Sequence, residues 1–313
     1  MVQQLIIMLV LIGVSFFVGM LIQHYAPTRS EALRSLASQS SLLLIIPFAV
    51  INSLWQLSGV DTELLIVPLL GVGVIGSGAV TAIFISRIFS LSRIDFASLL
   101  PTTSFYNIGA LGALFAFVFF GEDGVALLAL FKLFEEAIYF GLIFPYCRAQ
   151  GKTMGDKAHH FWRNPVFVVS VSALCTGLLL SVTDVRRPSI LSDVSQWLIP
   201  LGSLLLVFAA GLTFHLTGSR KWARIAITAS MTRIAFGVLF VLFAFWSLDL
   251  WSAASGVLLP LCIILACMPC GFIGVLPARL YGLNTAVANT CWIVTYFMSL
   301  VVGTFYFLVS WSG

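Results

Sequence analysis

Charge is the scarcest commodity in this chain of 313 residues: 16 basic and 12 acidic side chains make up 9% of it, against 60% hydrophobic residues. Ordinary soluble domains carry roughly 25% charged residues. So few charges cannot clothe a fold of this size in water, so the bilayer is expected to be its solvent. The small net charge of +4 does not argue for nucleic acid, because in a membrane chain the position of each charge matters more than the sum. Also absent is a G-x-x-x-x-G-K loop, so nothing points to ATP. No interval between apolar stretches is long enough for a soluble domain. The six cysteines all lie in or beside apolar segments, where cysteine packs as a small hydrophobe, and they suggest no disulfide framework. The amino-terminal run has no basic residue ahead of it and no small-residue cleavage site, so it is expected to be a retained span rather than a signal peptide.

What is present is a series of apolar windows long enough to cross a bilayer, each about 20 residues. Ten are expected: Leu5 to Gln23, Ala37 to Leu57, Leu64 to Phe89, Phe96 to Phe120, Val125 to Tyr146, Pro165 to Val182, Val194 to Leu216, Ile225 to Leu248, Ala253 to Leu276 and Thr285 to Trp311. Loops after the odd-numbered spans hold 12 of the 16 basic residues, whereas the opposite loops hold only Arg186 and Arg187. By the positive-inside rule the first set is cytoplasmic and both termini lie outside. Lys132 and Arg233 fall inside spans.

Five spans, a loop and five more spans suggest an inverted repeat, because an odd-numbered unit duplicated in tandem enters the membrane upside down. The expected organisation is an all-α polytopic membrane protein, with a first five-helix repeat over 1–148, a cytoplasmic loop over 149–163 and a second repeat over 164–313. Pro47 and Pro200 occupy corresponding mid-span positions and read as kinks, with Asn52 nearby as a candidate cavity residue. Spans four and nine are both interrupted, by Asn107, Gly109 and Gly112 in one and by Met268, Pro269, Cys270 and Gly271 in the other. Unwound backbone is tolerated at membrane depth only where protein or a water-filled cavity satisfies it. If the breaks meet, half-helix amino termini suit an anion there.

Buried ionisable residues form a second candidate. Lys132 stands three and four residues before Glu135 and Glu136, a spacing that makes helical neighbours, and Arg233 is a further partner for these carboxylates. This group is expected to act either in proton or cation coupling or as a structural charge network. Cys267 and Cys270 form a C-x-x-C that reads as small-residue packing rather than a metal site, and His159 and His160 read as solvated loop residues.

Taken in order, these residues resemble the auxin efflux carrier family of membrane transporters, whose bacterial members include organic-acid permeases. The likeness covers nearly the whole chain: Pro47, Phe48 and Ala49 in span two; Asn107, Gly109 and Gly112 as an N-x-G-x-x-G in span four; the turn Gly121, Glu122, Asp123 and Gly124; Asn164 and Pro165 opening span six; Pro200 and Leu201; then Met268, Pro269, Tyr281 and Gly282. The resemblance implies ten helices in two inverted repeats, with broken helices four and nine crossing near the bilayer centre. It also implies elevator-like alternating access, with substrate at the crossing and Asn107 helping to hold a carboxylate. The chain departs from the family at Leu114, where many relatives have proline, and at Met268 and Cys270, where plant members place asparagine. Glu135 and Glu136 stand where relatives often have amides, so a substrate other than auxin is expected.

The expected function is a secondary transporter, not an enzyme, moving a small organic anion across a bacterial-type inner membrane. Its partners are that anion, a coupled proton or sodium ion, and the lipid bilayer, without a cofactor or metal. A homodimer and a non-transporting sensor on the same fold are left open. An intramembrane protease of the E-E-x-x-x-R type is disfavoured, because Phe140 stands at the arginine position and no span supplies the histidines.

Overall fold

A computed structural model describes residues 2–56, 62–151, 165–183, 185–213, 219–251 and 256–312, with side chains from residue 7 to residue 299 apart from 62 and 63. Most of the 149–163 loop, with His159 and His160, lies outside the described residues, as does Asn164. The described chain is helical, and the one β-bridge in it joins Tyr106 to Cys270.

The helices run in order as α1 (Val2–Tyr25), α2 (Pro27–Ser40), α3 (Ile46–Gln56), α4 (Val67–Ile88), α5 (Arg93–Ser104), α6 (Ala113–Phe131), α7 (Glu135–Ile138), α8 (Phe144–Gln150), α9 (Pro165–Ser181), α10 (Ile190–Gly211), α11 (Arg220–Leu248), α12 (Leu258–Cys267), α13 (Leu276–Leu280) and α14 (Thr285–Ser312). Short π-helical turns at Ser41–Ile45, Ile108–Gly112 and Tyr139–Ile143 join α2 to α3, lead into α6 and join α7 to α8. Among the described residues, six stretches are long and apolar enough to cross a membrane: Ile7–Tyr25, Pro27–Gln56, Leu64–Ile88, Ile108–Gln150, Ile190–Gly211 and Arg220–Leu248. Pro165–Ser181 and Leu258–Cys267 are shorter apolar helices. Large apolar side chains face outward along them, among them Leu44, Leu142, Phe243 and Trp246. Such a surface suits hydrocarbon, and the chain is an integral membrane protein.

The longest of these stretches, 43 residues, is not one rod. At 1.5 Å per residue it would be about 65 Å long, twice the hydrocarbon thickness of about 30 Å. Gly121 divides it with φ 63° and ψ −149°, a backbone conformation that glycine adopts without the steric cost a Cβ brings. The break falls at the turn expected between the fourth and fifth windows.

Two compact units emerge, each drawing on both halves of the sequence. The first comprises Met1–Leu65, Gly109–Leu130 and Trp162–His215. Within it α1 packs on α10 and α3 on α9, with glycines where backbones approach: Gly19 faces the Phe208 carbonyl, Gly211 that of Phe16, and Gly177 the Leu54 side chain. Without a hydrophobic drive between helices in lipid, this small-residue fit and polar links hold helices together. Ser15 donates to the Leu204 carbonyl at 2.8 Å and Ser41 to that of Gly202 at 2.7 Å. The π turn at Ser41–Ile45 lies just ahead of Pro47, which has no N–H to continue the ladder.

The second unit comprises Ile66–Ile108, Phe131–Phe161 and Leu216–Gly313. Its core gathers Ala82 and Ile85 of α4, Leu99 of α5, Ala226 and Ala229 of α11, and Val287 and Cys291 of α14. Gly78 of α4 lies against the backbone of Thr103 and Ser104, leaving no room for a Cβ.

Candidate functional site

The site is built where α5 and α12 both end inside the second unit. Helix α5 begins with Ser92, whose hydroxyl accepts the Asp95 N–H at 3.2 Å and donates to the Asp95 carboxylate at 2.7 Å, a reciprocal cap. Pro101 then weakens it from within, because the missing N–H leaves the Ala97 carbonyl without its helical partner. The Cys147 thiol donates to that carbonyl at 3.2 Å. The hydroxyls of Thr102 and Thr103 turn back to the carbonyls of Leu99 and Leu100 at 2.7–3.2 Å. The helix stops at Ser104, and Phe105 is extended.

Helix α12 stops for a related reason. A residue before proline is pushed out of the helical region, and Met268, ahead of Pro269, is extended at φ −61° and ψ 145°. The two unwound segments pair with each other as an antiparallel bridge between Tyr106 and Cys270. Asn107 N–H donates to the Pro269 carbonyl at 2.7 Å, and Gly271 N–H donates to the Phe105 carbonyl at 3.2 Å. Each break thus supplies the hydrogen bonds the other lost. A Cβ on Gly271 would lie 3.3 Å from the Tyr106 carbonyl, a tight approach that favours glycine.

Helix α14 serves this bridge with three hydroxyls. Thr295 accepts the Cys270 N–H at 3.0 Å, and Ser299 donates to the Cys267 carbonyl at 2.7 Å. The Tyr296 hydroxyl accepts Asn107 Nδ2 at 2.8 Å, and the Tyr296 ring meets that of Trp292 edge-on with centroids 5.6 Å apart. Asn107 is half-buried, and with one N–H of its Nδ2 engaged on Tyr296, the second Nδ2 N–H and the Tyr296 O–H remain as donors for a ligand. Thr295, Tyr296 and Ser299 were not singled out in the sequence; their i, i+1, i+4 spacing mid-window was the available signal.

Helix α11 brings Arg233, 1% exposed, to the same place. Its Nη2 donates to the Met268 carbonyl at 3.0 Å, and its guanidinium carbon lies 3.7 Å from the Tyr106 ring centroid. Its Nε is buried without a partner, and no carboxylate pairs with it among the described residues. One turn on, Gly237 leaves space beside the Tyr106 hydroxyl and Ala266. A carbonyl and an aromatic face compensate a full charge only in part. Arg233 therefore joins the paired breaks; its polar contacts are with Met268 and Tyr106, not with the glutamates.

The glutamate group lies elsewhere in the second unit, at a third break. Residues 132–134 form a turn between α6 and α7, where the Phe131 carbonyl packs against Gly71 of α4. Lys132 Nζ approaches Glu135 Oε2 at 3.8 Å, and that buried oxygen has no hydrogen-bond donor. Glu136 is half-buried and in no ion pair among the described residues.

Of the remaining candidates, Gly109 and Gly112 lie in the π turn Ile108–Gly112 that follows Asn107 in the chain. Asn52 belongs to the first unit, 2% exposed, with its amide nitrogen unpartnered. Cys267 and Cys270 are free thiols; Cys270 donates to the Gly271 carbonyl at 3.2 Å and fills the space a Cβ on Gly274 would need. Among the described residues no group of three histidine, cysteine or acidic side chains could hold a metal ion.

No model of a known protein family matches the chain, and no curated protein matches it.

Proposed function

We propose that the protein is a secondary transporter for a small organic carboxylate, bound at the paired breaks between Asn107 and Arg233. One observation carries this reading: two unwound helices stitched together inside an apolar unit, beside a buried guanidinium with no carboxylate partner. A cation held this way is stabilised when an anion arrives, and the second N–H of Asn107 Nδ2 and the Tyr296 O–H add donors that fix its orientation. Broken helices at a polar site are also the architecture through which many secondary transporters bind their cargo.

The motif order that resembles the auxin efflux carrier family supports the finer reading. In it the chain forms ten spans in two inverted five-helix repeats and works by elevator-like alternating access. The basic-residue bias supports cytoplasmic loops after the odd spans and both termini outside, and the same resemblance supports a bacterial-type inner membrane. Lys132, Glu135 and Glu136 are the coupling group, taking up a proton or sodium ion on one side and releasing it on the other.

Ligand binding tests the site. In detergent, a panel of mono- and dicarboxylates is expected to contain at least one that raises the thermal unfolding temperature of the wild type. That shift should be lost in Asn107→Ala and in Arg233→Gln. Retention of the full shift in both variants would remove these residues from the site.

A further inference from the structure

Away from the paired breaks, a cavity opens at the junction of α4 and α5. It has a volume of about 240 Å3, against about 10–15 Å3 needed to hold one water. Ile83, Ser86, Arg87, Arg93, Phe96 and Tyr146 line it. The turn that forms it is tight: Leu91 N–H returns to the Ser86 carbonyl at 3.0 Å, and Ser90 takes the left-handed conformation at φ 49°. That closure sets the last turn of α4 beside the first residue of α5, so two arginines line one space.

Neither arginine is in an ion pair among the described residues. The nearest acid in sequence, Asp95, is engaged elsewhere: one oxygen takes the Asn284 amide at 2.6 Å and the other the Ser92 hydroxyl at 2.7 Å. Arg93 also occupies the first turn of a helix, an end that favours an anion over a cation. Two like charges at one cavity, one of them at an unfavourable helix end, are relieved by an anion between them. Arginine forks match phosphate oxygens in particular.

The walls and the position select the source of that phosphate. Ile83, Phe84 and Ile88 lie 43–54% exposed along α4, an apolar ridge leading up to the cavity. Tyr146 stands at the rim, 37% exposed and edge-on to Phe96 with ring centroids 5.9 Å apart, the amphipathic aromatic expected where hydrocarbon meets water. Arg87 and Arg93 belong to the set of loops that holds 12 of the 16 basic residues. Basic pockets on that side of a membrane protein suit anionic lipid headgroups.

We infer that this cavity binds the headgroup phosphate of an anionic phospholipid, held between Arg87 and Arg93 with its acyl chains along Ile83, Phe84 and Ile88. The test is native mass spectrometry of the full-length protein in detergent, titrated separately with phosphatidylglycerol, phosphatidylcholine and inorganic phosphate. Phosphatidylglycerol is expected to bind at least tenfold more tightly than phosphatidylcholine, and inorganic phosphate not to compete with it. The double variant Arg87→Gln/Arg93→Gln should lose that tenfold preference, while Arg220→Gln/Lys221→Gln, equal in charge, keeps it. The singles Arg87→Gln and Arg93→Gln, each expected to lose severalfold, provide the reading should the double variant fail to fold. Equal binding of the two lipids, or a preference that survives the arginine substitutions, would overturn the proposal. Full competition by inorganic phosphate would assign the cavity to a free anion instead of a lipid.

Discussion

Arg233 illustrates how one side chain can serve function against stability. A guanidinium buried in an apolar unit, satisfied by one carbonyl and one aromatic face, costs the fold free energy that a matched apolar side chain would not. Arg233→Met is therefore expected to stabilise the unliganded protein, by about 1–4 kcal/mol, seen as a raised unfolding temperature in detergent. The same change should weaken carboxylate binding by roughly 30-fold or more, from the loss of at least about 2 kcal/mol of charge pairing. A variant less stable than wild type and equally able to bind would show that the arginine is there for architecture. In sequence, Arg233 was legible as a buried charge, but its neighbours were not: helical spacing identifies partners within one helix, whereas Met268 and Tyr106 come from two others. Tyr296 and Thr295 were harder still, because hydroxyl-bearing residues in an apolar window blend into it until the fold turns them toward Asn107 and Cys270.

Among the elements, α4 sets how closely α5 can approach, through residues with no side chain. Gly78→Ala would drive a methyl into the backbone of Thr103 and Ser104, and is expected to destabilise by about 1–3 kcal/mol. Gly76→Ala, two residues away on the same helix, has open space within 4 Å and should be neutral or stabilising by up to about 1 kcal/mol. Thermal unfolding of both variants checks the pair; equal effects would mean that the close contact does not determine stability. Breaks differed in legibility for physical reasons. Pro101, Pro269 and the glycines mark two of them, because each alters the backbone wherever it stands. The break at 132–134 carries no such mark: FKLFEE has neither glycine nor proline, and it coincides with the approach of Gly71 to the Phe131 carbonyl, a long-range contact. The ion pair Lys132–Glu135 was legible all the same, since a spacing of three survives in the turn.

For the whole molecule, the apolar helices and the two broken windows were readable from composition and pattern, because a bilayer leaves few ways to satisfy a backbone. The division into two units was not, since each unit takes segments from both halves of the chain. On the proposed account, the charge group at the third break links transport to an ion gradient. Glu135→Gln/Glu136→Gln is expected to retain carboxylate binding while its uptake becomes indifferent to proton and sodium gradients, measured in proteoliposomes. Gradient dependence equal to wild type would return these residues to a structural role.

The central claim is that carboxylate crosses the membrane by way of the paired breaks. Its most direct test is uptake of labelled carboxylates, chosen from the binding panel, into proteoliposomes carrying the purified protein, alongside Asn107→Ala, Arg233→Gln and empty liposomes. The account predicts saturable uptake by the wild type and at least a tenfold loss in each variant, with all three proteins monodisperse and thermally folded. Saturable binding without uptake in either direction would contradict it and identify a sensor, and uptake undiminished in both variants would place the pathway elsewhere.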